Sequence, residues 1–166
     1  AHNNLGSILQ DLGKLEEAEI SYLKALDLDP DNVEAHSNLG VTLQELGKLE
    51  DAIEGFKQAL KIKPDYAQAY CNMGNALTGI EFSKPMPDLP EFIYQLLEKE
   101  KFVRPKDVSK AAISLLKYNP IIIGAIKKQS AGKLFESLRE TIVDLSKVPL
   151  LLKLMELCPL PDLEFE

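Results

Sequence analysis

The sequence is poorest in the residues on which most enzyme sites are built. It has two histidines, His2 and His36, and two cysteines, Cys71 and Cys158. Beyond residue 80 its only glycines are Gly124 and Gly132. A dinucleotide or S-adenosylmethionine site needs a glycine-rich turn after a strand, where backbone N–H groups can reach an anionic group. No such stretch is present. A nucleophile needs a base beside it, and both histidines stand at packing positions of a repeat. The cysteines lie far apart, without a CxxC or a neighbouring histidine. They read as reduced core residues of a cytoplasmic protein rather than a disulfide or a metal site. No metal, no cofactor and no catalysis is therefore expected.

Long apolar runs are missing too. Crossing a bilayer takes about 18–20 apolar residues, whereas the run from Val148 to Leu154 is short and broken by Lys153. No membrane association is expected, and no leader, because the opening residues already belong to a repeated pattern. The chain reads as a fragment of a longer protein. Basic residues are scarce in the first 80 positions, where thirteen acids face six lysines for a net charge of −7, while residues 81–166 balance at thirteen of each sign. A phosphate backbone calls for a basic groove, so nucleic acid is not an expected partner. Lys127, Lys128 and Lys133 lack interleaved aromatics beyond Phe135 and read as a solvated helix end. Carboxylate pairs such as Glu16-Glu17 and Glu50-Asp51 fall at helix starts, where they complement the dipole.

What is present is a period. Shifted by 34 positions, Asn4-Leu5-Gly6, Leu12-Gly13-Lys14-Leu15-Glu16, Ala18, Ala25-Leu26 and Pro30 recur as Asn38-Leu39-Gly40, Leu46-Gly47-Lys48-Leu49-Glu50, Ala52, Ala59-Leu60 and Pro64. A third copy opens at Ala69-Tyr70 and Asn72-Met73-Gly74 and fails after Ile80. Each copy has the form of a helical hairpin. Leu39, Leu43 and Leu46 make an apolar stripe, Gly40 and Ala52 are small where two helices must approach, and Gly47 ends the first helix. Ile53, Phe56, Leu60 and Ile62 are expected to line the second helix, which Pro64 terminates. One hairpin cannot bury its apolar face alone, so such units stack.

Leu39, Gly40 and Leu43 on the first helix, with Ala52, Phe56, Ala59 and Pro64 on the second, resemble the tetratricopeptide repeat. The match covers positions 1–79, with His2 and His36 in the slot the family usually fills with Trp and Tyr70 in that slot of the third copy. Such a stack lines a concave groove with the first helix of each hairpin. The stretch Ala69-Tyr70-Cys71-Asn72-Met73-Gly74-Asn75-Ala76-Leu77 is similar to the repeat region of O-linked N-acetylglucosamine transferases, in which laddered asparagines bind the backbone of an extended peptide. That resemblance implies a peptide-binding groove at Asn4, Asn38, Asn72 and Asn75. An amide suits the task because it offers a donor and an acceptor together. The alternative is that these asparagines buttress the hairpin turns. His2 and His36, one repeat apart, read as stacked packing residues, since a metal would need further ligands.

After Ser83-Lys84-Pro85-Met86-Pro87 the pattern changes. Asp88 with Glu91 reads as a capping box opening a helix with Phe92, Ile93, Leu96 and Leu97. Pro105, Pro120 and Pro149 each read as the first residue of a further helix. The isoleucines 121–123 also suit a strand, but the proline start and Ala125 favour helix. Gln129 to Gly132 reads as a loop, and Leu134, Phe135, Leu138, Ile142 and Leu145 as an amphipathic helix. The last helix, with Leu150, Leu151, Leu152, Leu154, Met155 and Leu157, is apolar nearly all round and is expected to be covered on several sides. Cys158-Pro159-Leu160-Pro161 should end it. Val103-Arg104-Pro105-Lys106-Asp107 and Pro149-Leu150-Leu151-Leu152-Lys153-Leu154-Met155, with Cys158-Pro159-Leu160-Pro161-Asp162, are similar to the segment between tetratricopeptide repeats and a methyltransferase-type domain in large bacterial proteins.

The expectation is an all-α protein, with helix-turn-helix repeats forming an α-α superhelix over 1–80, a linker over 81–90 and a capping helical bundle over 91–166 packed on the repeats. Its expected role is a non-catalytic protein- or peptide-binding module of a bacterial cytoplasmic protein. The rival readings are a substrate-presenting arm of a glycosyltransferase or methyltransferase, and a structural module that self-associates through exposed repeat ends.

Overall fold

A computed structural model describes residues 1–99, 102–130 and 138–157. The described residues form ten helices and no strand: α1 (His2–Asp11), α2 (Leu15–Leu28), α3 (Val33–Glu45), α4 (Leu49–Ile62), α5 (Ala67–Leu77), α6 (Leu89–Glu98), α7 (Pro105–Leu116), α8 (Pro120–Ser130), α9 (Leu138–Leu145) and α10 (Pro149–Leu157). The protein is all-α. Its contacts divide it into two compact units, Ala1–Ala76 and Leu77–Glu166.

In the first unit α1 packs on α2 and α3 on α4, with α2 also against α3. The two hairpins are built alike because their sequences are. Gly13 and Gly47 have φ of +71° and +75°, a region open to glycine at little cost. Around them Gly13 N–H donates to the Gln10 carbonyl and Lys14 N–H to Leu9, while Gly47 donates to Gln44 and Lys48 to Leu43. These paired bonds close each first helix with a Schellman motif. Asn32 caps α3, its Oδ1 accepting from the Ala35 N–H at 2.9 Å.

Small residues let the helices of a hairpin touch. A Cβ added to Gly6 would lie 2.6 Å from the Tyr22 ring, and one on Gly40 2.6 Å from Phe56. Ala18, Tyr22, Ala52, Ile53, Phe56 and Ala59 fill the hairpin interiors. Ile62 departs from the expectation: it is exposed, as is Leu28 one repeat earlier. Both stand at the last residue of a second helix, beyond the turn that packs.

In the second unit α6, α7 and α10 pack together, and α8 lies against α9. Leu89, Ile93, Leu96 and Leu97 meet Val108, Ala111, Ala112 and Leu115 in a core completed by Leu150 and Leu154. Lys153 links α10 to α6, its Nζ 2.8 Å from Glu98. The helices start at the expected prolines, and the isoleucines 121–123 are helical. Three other details differ. The Asp88 side chain makes no cap hydrogen bond to α6. Gln129 and Ser130 continue α8 instead of leaving it. Among the described residues α10 packs on α6 and α7, and Leu150 and Leu154 are buried while Leu152 and Met155 are exposed, so it is not covered all round. Leu134 and Phe135, and the expected stop at Cys158 to Pro161, lie outside the described residues.

Candidate amide-lined groove

Position 4 of the repeat falls on the first helix of each copy, α1, α3 and α5, so the helical register sets Asn4, Asn38 and Asn72 at equivalent places. Their surroundings differ. Asn38 Nδ2 donates to Asn3 Oδ1 at 3.4 Å, and Asn72 Nδ2 donates to Ser37 Oγ at 3.4 Å. Each thus reaches the residue before its counterpart in the preceding repeat. Bonds of this length are weak and easily exchanged for a better acceptor. Asn72 Oδ1 also accepts from Gln68 Nε2 at 2.9 Å. Asn4 and Asn75 are exposed, and no hydrogen bond is made by their side chains among the described residues.

A cavity of about 350 Å³ opens between α3 and α5, lined by Val41, Gln44, Glu45, Asn72 and Asn75. It brings together two of the four asparagines singled out from the sequence. Asn38, nearer the start of α3, and Asn4, on α1, lie outside its lining. Gln44 and Glu45 were not foreseen, although the period marks them: Gln10-Asp11 of the first copy becomes Gln44-Glu45 in the second. Gln10 is the hub of the adjoining wall. Its Nε2 donates to Glu45 Oε1 at 3.3 Å, and its Oε1 accepts from the Tyr22 hydroxyl at 3.2 Å and from Thr42 Oγ1 at 3.3 Å. Burial pushes the Tyr22 phenol up, against a hydrogen bond with Ser7, and the negative charges of Asp11 and Glu45 add to the rise.

The histidine slot has a polar role that the sequence reading passed over. His36 Nε2 lies 2.8 Å from the Pro30 carbonyl, and the Tyr70 hydroxyl donates to the Pro64 carbonyl at 3.1 Å. Two different rings, one repeat apart, clasp the turn that precedes them.

Residues 6–47 and 42–79 match the family model of the TPR repeat. Residues 6–79 carry tetratricopeptide repeats. In that frame α1, α3 and α5 are the A helices and α2 and α4 the B helices. No curated protein matches the chain. Among solved structures, the chain is similar to the first TPR of Spaghetti (RPAP3) bound to the HSP90 peptide SRMEEVD, at 24% identity and a TM-score of 0.46, over 79% of this chain and 91% of that one.

Among the described residues no three histidine, cysteine or acidic side chains converge to hold a metal, and no helix is long and apolar enough to cross a membrane. The second unit has a cavity of about 330 Å³ walled by prolines and by Tyr94 and Tyr118, with Glu91 its one charged side chain. No nucleophile with an adjacent base lines it.

Proposed function

We propose that this chain is a non-catalytic protein-binding module that holds an extended peptide along its A helices. The observation that carries the reading is the cavity between α3 and α5, where the amides of Gln44, Asn72 and Asn75 converge. Each amide can donate to and accept from one peptide group regardless of side chain. Asn38 and Asn4 extend the same line of amides along α3 and α1. The reading places the module in the cytoplasm, as part of a longer bacterial protein, where it could equally present a substrate to a glycosyltransferase or methyltransferase domain.

Peptides selected from a random display library on the full chain test this. Asn72→Ala with Asn75→Ala should weaken a selected peptide several-fold while leaving the helical circular dichroism unchanged, since each bond contributes about 0.5–1.5 kcal/mol. Unchanged affinity in a folded double variant moves the site off the groove. A second reading is favoured by one feature: Leu5 and Ile8 of α1, with Leu12 at its C-cap, are exposed apolar residues, whereas Leu39 and Thr42, the equivalents of the first two, are buried. Self-association through these residues would show in sedimentation as a concentration-dependent mass that Ile8→Glu abolishes.

A further inference from the structure

The A helices contain no lysine or arginine at all, while they carry Asp11, Glu34 and Glu45. Every lysine of the first unit sits on a B helix or in a turn. Two of the turn lysines pair with acids of α2: Lys48 Nζ is 2.7 Å from Glu19 and Lys14 Nζ 3.1 Å from Glu17. Lys57, on α4, pairs with Glu54 at 2.8 Å.

Glu45 is the last residue of α3, and with Gln44 it puts the C-terminal end of that helix into the cavity wall. A helix C-terminus carries partial negative charge, so the backbone and the carboxylate act with the same sign. One Glu45 oxygen accepts from Gln10; the other has no partner among the described residues. Asp11 holds the same place at the end of α1, and the charges of both reach the Tyr22 hydroxyl on the wall between them. An anion entering the cavity would find no cation in its lining and would meet the Glu45 carboxylate, with Asp11 one repeat away at the end of α1. A cation would find a free carboxylate oxygen beside three amides.

We propose that the groove's partner is a peptide segment bearing lysine or arginine, with the cation received at Glu45 and, one repeat away, at Asp11, and that acidic segments and C-terminal carboxylates are refused. This rests on the peptide-binding reading above and adds the partner's charge to it. The amides hold the backbone, and the carboxylates select the side chains.

The test uses the full chain labelled with nitrogen-15 and two short peptides, acetylated and amidated at their ends, in which lysine or glutamate alternates with serine. The lysine peptide should shift the side-chain amide signals of Gln44, Asn72 and Asn75, the shifts should shrink with added salt, and the glutamate peptide should leave them in place. Glu45→Gln should weaken the lysine peptide about three- to tenfold, the scale of a partly solvated charge-assisted bond. Equal shifts from the glutamate peptide, or full lysine-peptide affinity in Glu45→Gln, overturn the charge assignment and leave the groove standing. No shift at these three residues with millimolar lysine peptide overturns the assignment and the groove reading together.

Discussion

Replacing Gly40 by leucine is the sharpest probe of how the second hairpin is built. A Cβ there would lie 2.6 Å from Phe56 Cε1, 2.8 Å from Cδ1 and 3.0 Å from Cζ. Relaxed carbon contacts begin near ~3.5–4.0 Å, so the ring would have to retreat by about 1 Å for the first carbon alone. Phe56 is fully buried and has nowhere to go. Nor can the helices part cheaply, because they touch through a second glycine: a Cβ on Gly55 would sit 3.3 Å from the Gly40 Cα and 3.1 Å from the His36 carbonyl oxygen. Alanine at position 40 gains about 1 kcal/mol of helix propensity, which offsets part of an overpacking cost of about 1–3 kcal/mol. Leucine adds three more carbons to the same gap, and a loss of about 2–4 kcal/mol is expected.

Urea unfolding followed by circular dichroism gives the size of the loss, and hydrogen exchange of the α3 and α4 amides places it in this hairpin. A double-mutant cycle identifies its cause. Phe56→Ala alone should cost about 3–5 kcal/mol, but in that background the leucine side chain enters the space the ring has left. The two changes should then be non-additive by about 1 kcal/mol or more. Near-native stability of Gly40→Leu, or strict additivity with Phe56→Ala, would refute the argument from contact.

Gly47→Ala meets no atom within 4 Å but keeps a φ of +75°, so it should cost about 1–2 kcal/mol through backbone strain alone. His36→Tyr should melt close to the wild type, since Tyr70 makes the same bond one repeat on, while His36→Ala should lose about 0.5–1.5 kcal/mol in thermal unfolding. Burial would raise the Glu54 carboxyl, but hydrogen bonds from Lys57 and Gln58 outweigh it and hold the pKa below the ordinary 4.5. A depressed folded pKa gives stability that is present above that value and lost as pH falls through the lower folded one. Glu54→Gln should therefore flatten the acid limb of a stability–pH curve below pH 4.5, and an unchanged limb would place that titration elsewhere.

The period made the first unit readable at the level of single residues. Gly40 and Gly47 are legible because each copy repeats the steric demand that selects them. The helix starts at Pro105, Pro120 and Pro149 are legible because proline tolerates the first turn and little else in a helix. Signals of polarity served less well. Gln129 and Ser130 look like loop residues, yet they follow a helix whose own hydrogen bonds carry it to Ser130. The apolar residues of α10 say that the helix is hydrophobic but not from how many sides it is reached. At the groove the asparagines stood out by type, whereas Gln44 and Glu45 resemble any polar helix end until α5 is set beside them.

The place where the period fails also limits what the groove can do. Two residues short of the position that register requires, Gly79 adopts a φ of +73° and α5 stops at Leu77. The cap differs from the two before it: the Gly79 N–H goes to the Asp107 carbonyl at 3.4 Å, and the Phe82 N–H to Ser114 Oγ at 2.9 Å. The chain is drawn toward α7 instead of into a B helix. Thr78, which stands where Gln10 and Gln44 stand in the earlier copies, falls beyond the end of its helix. Asn75 is thus the last amide of the ladder. Three amides at about 0.5–1.5 kcal/mol each sum to about 1.5–4.5 kcal/mol, which by itself corresponds to binding no tighter than about millimolar. On the peptide-binding reading proposed above, a backbone ladder this short leaves selectivity to side-chain contacts, and Glu45 is the one ionised side chain in the cavity wall to provide them.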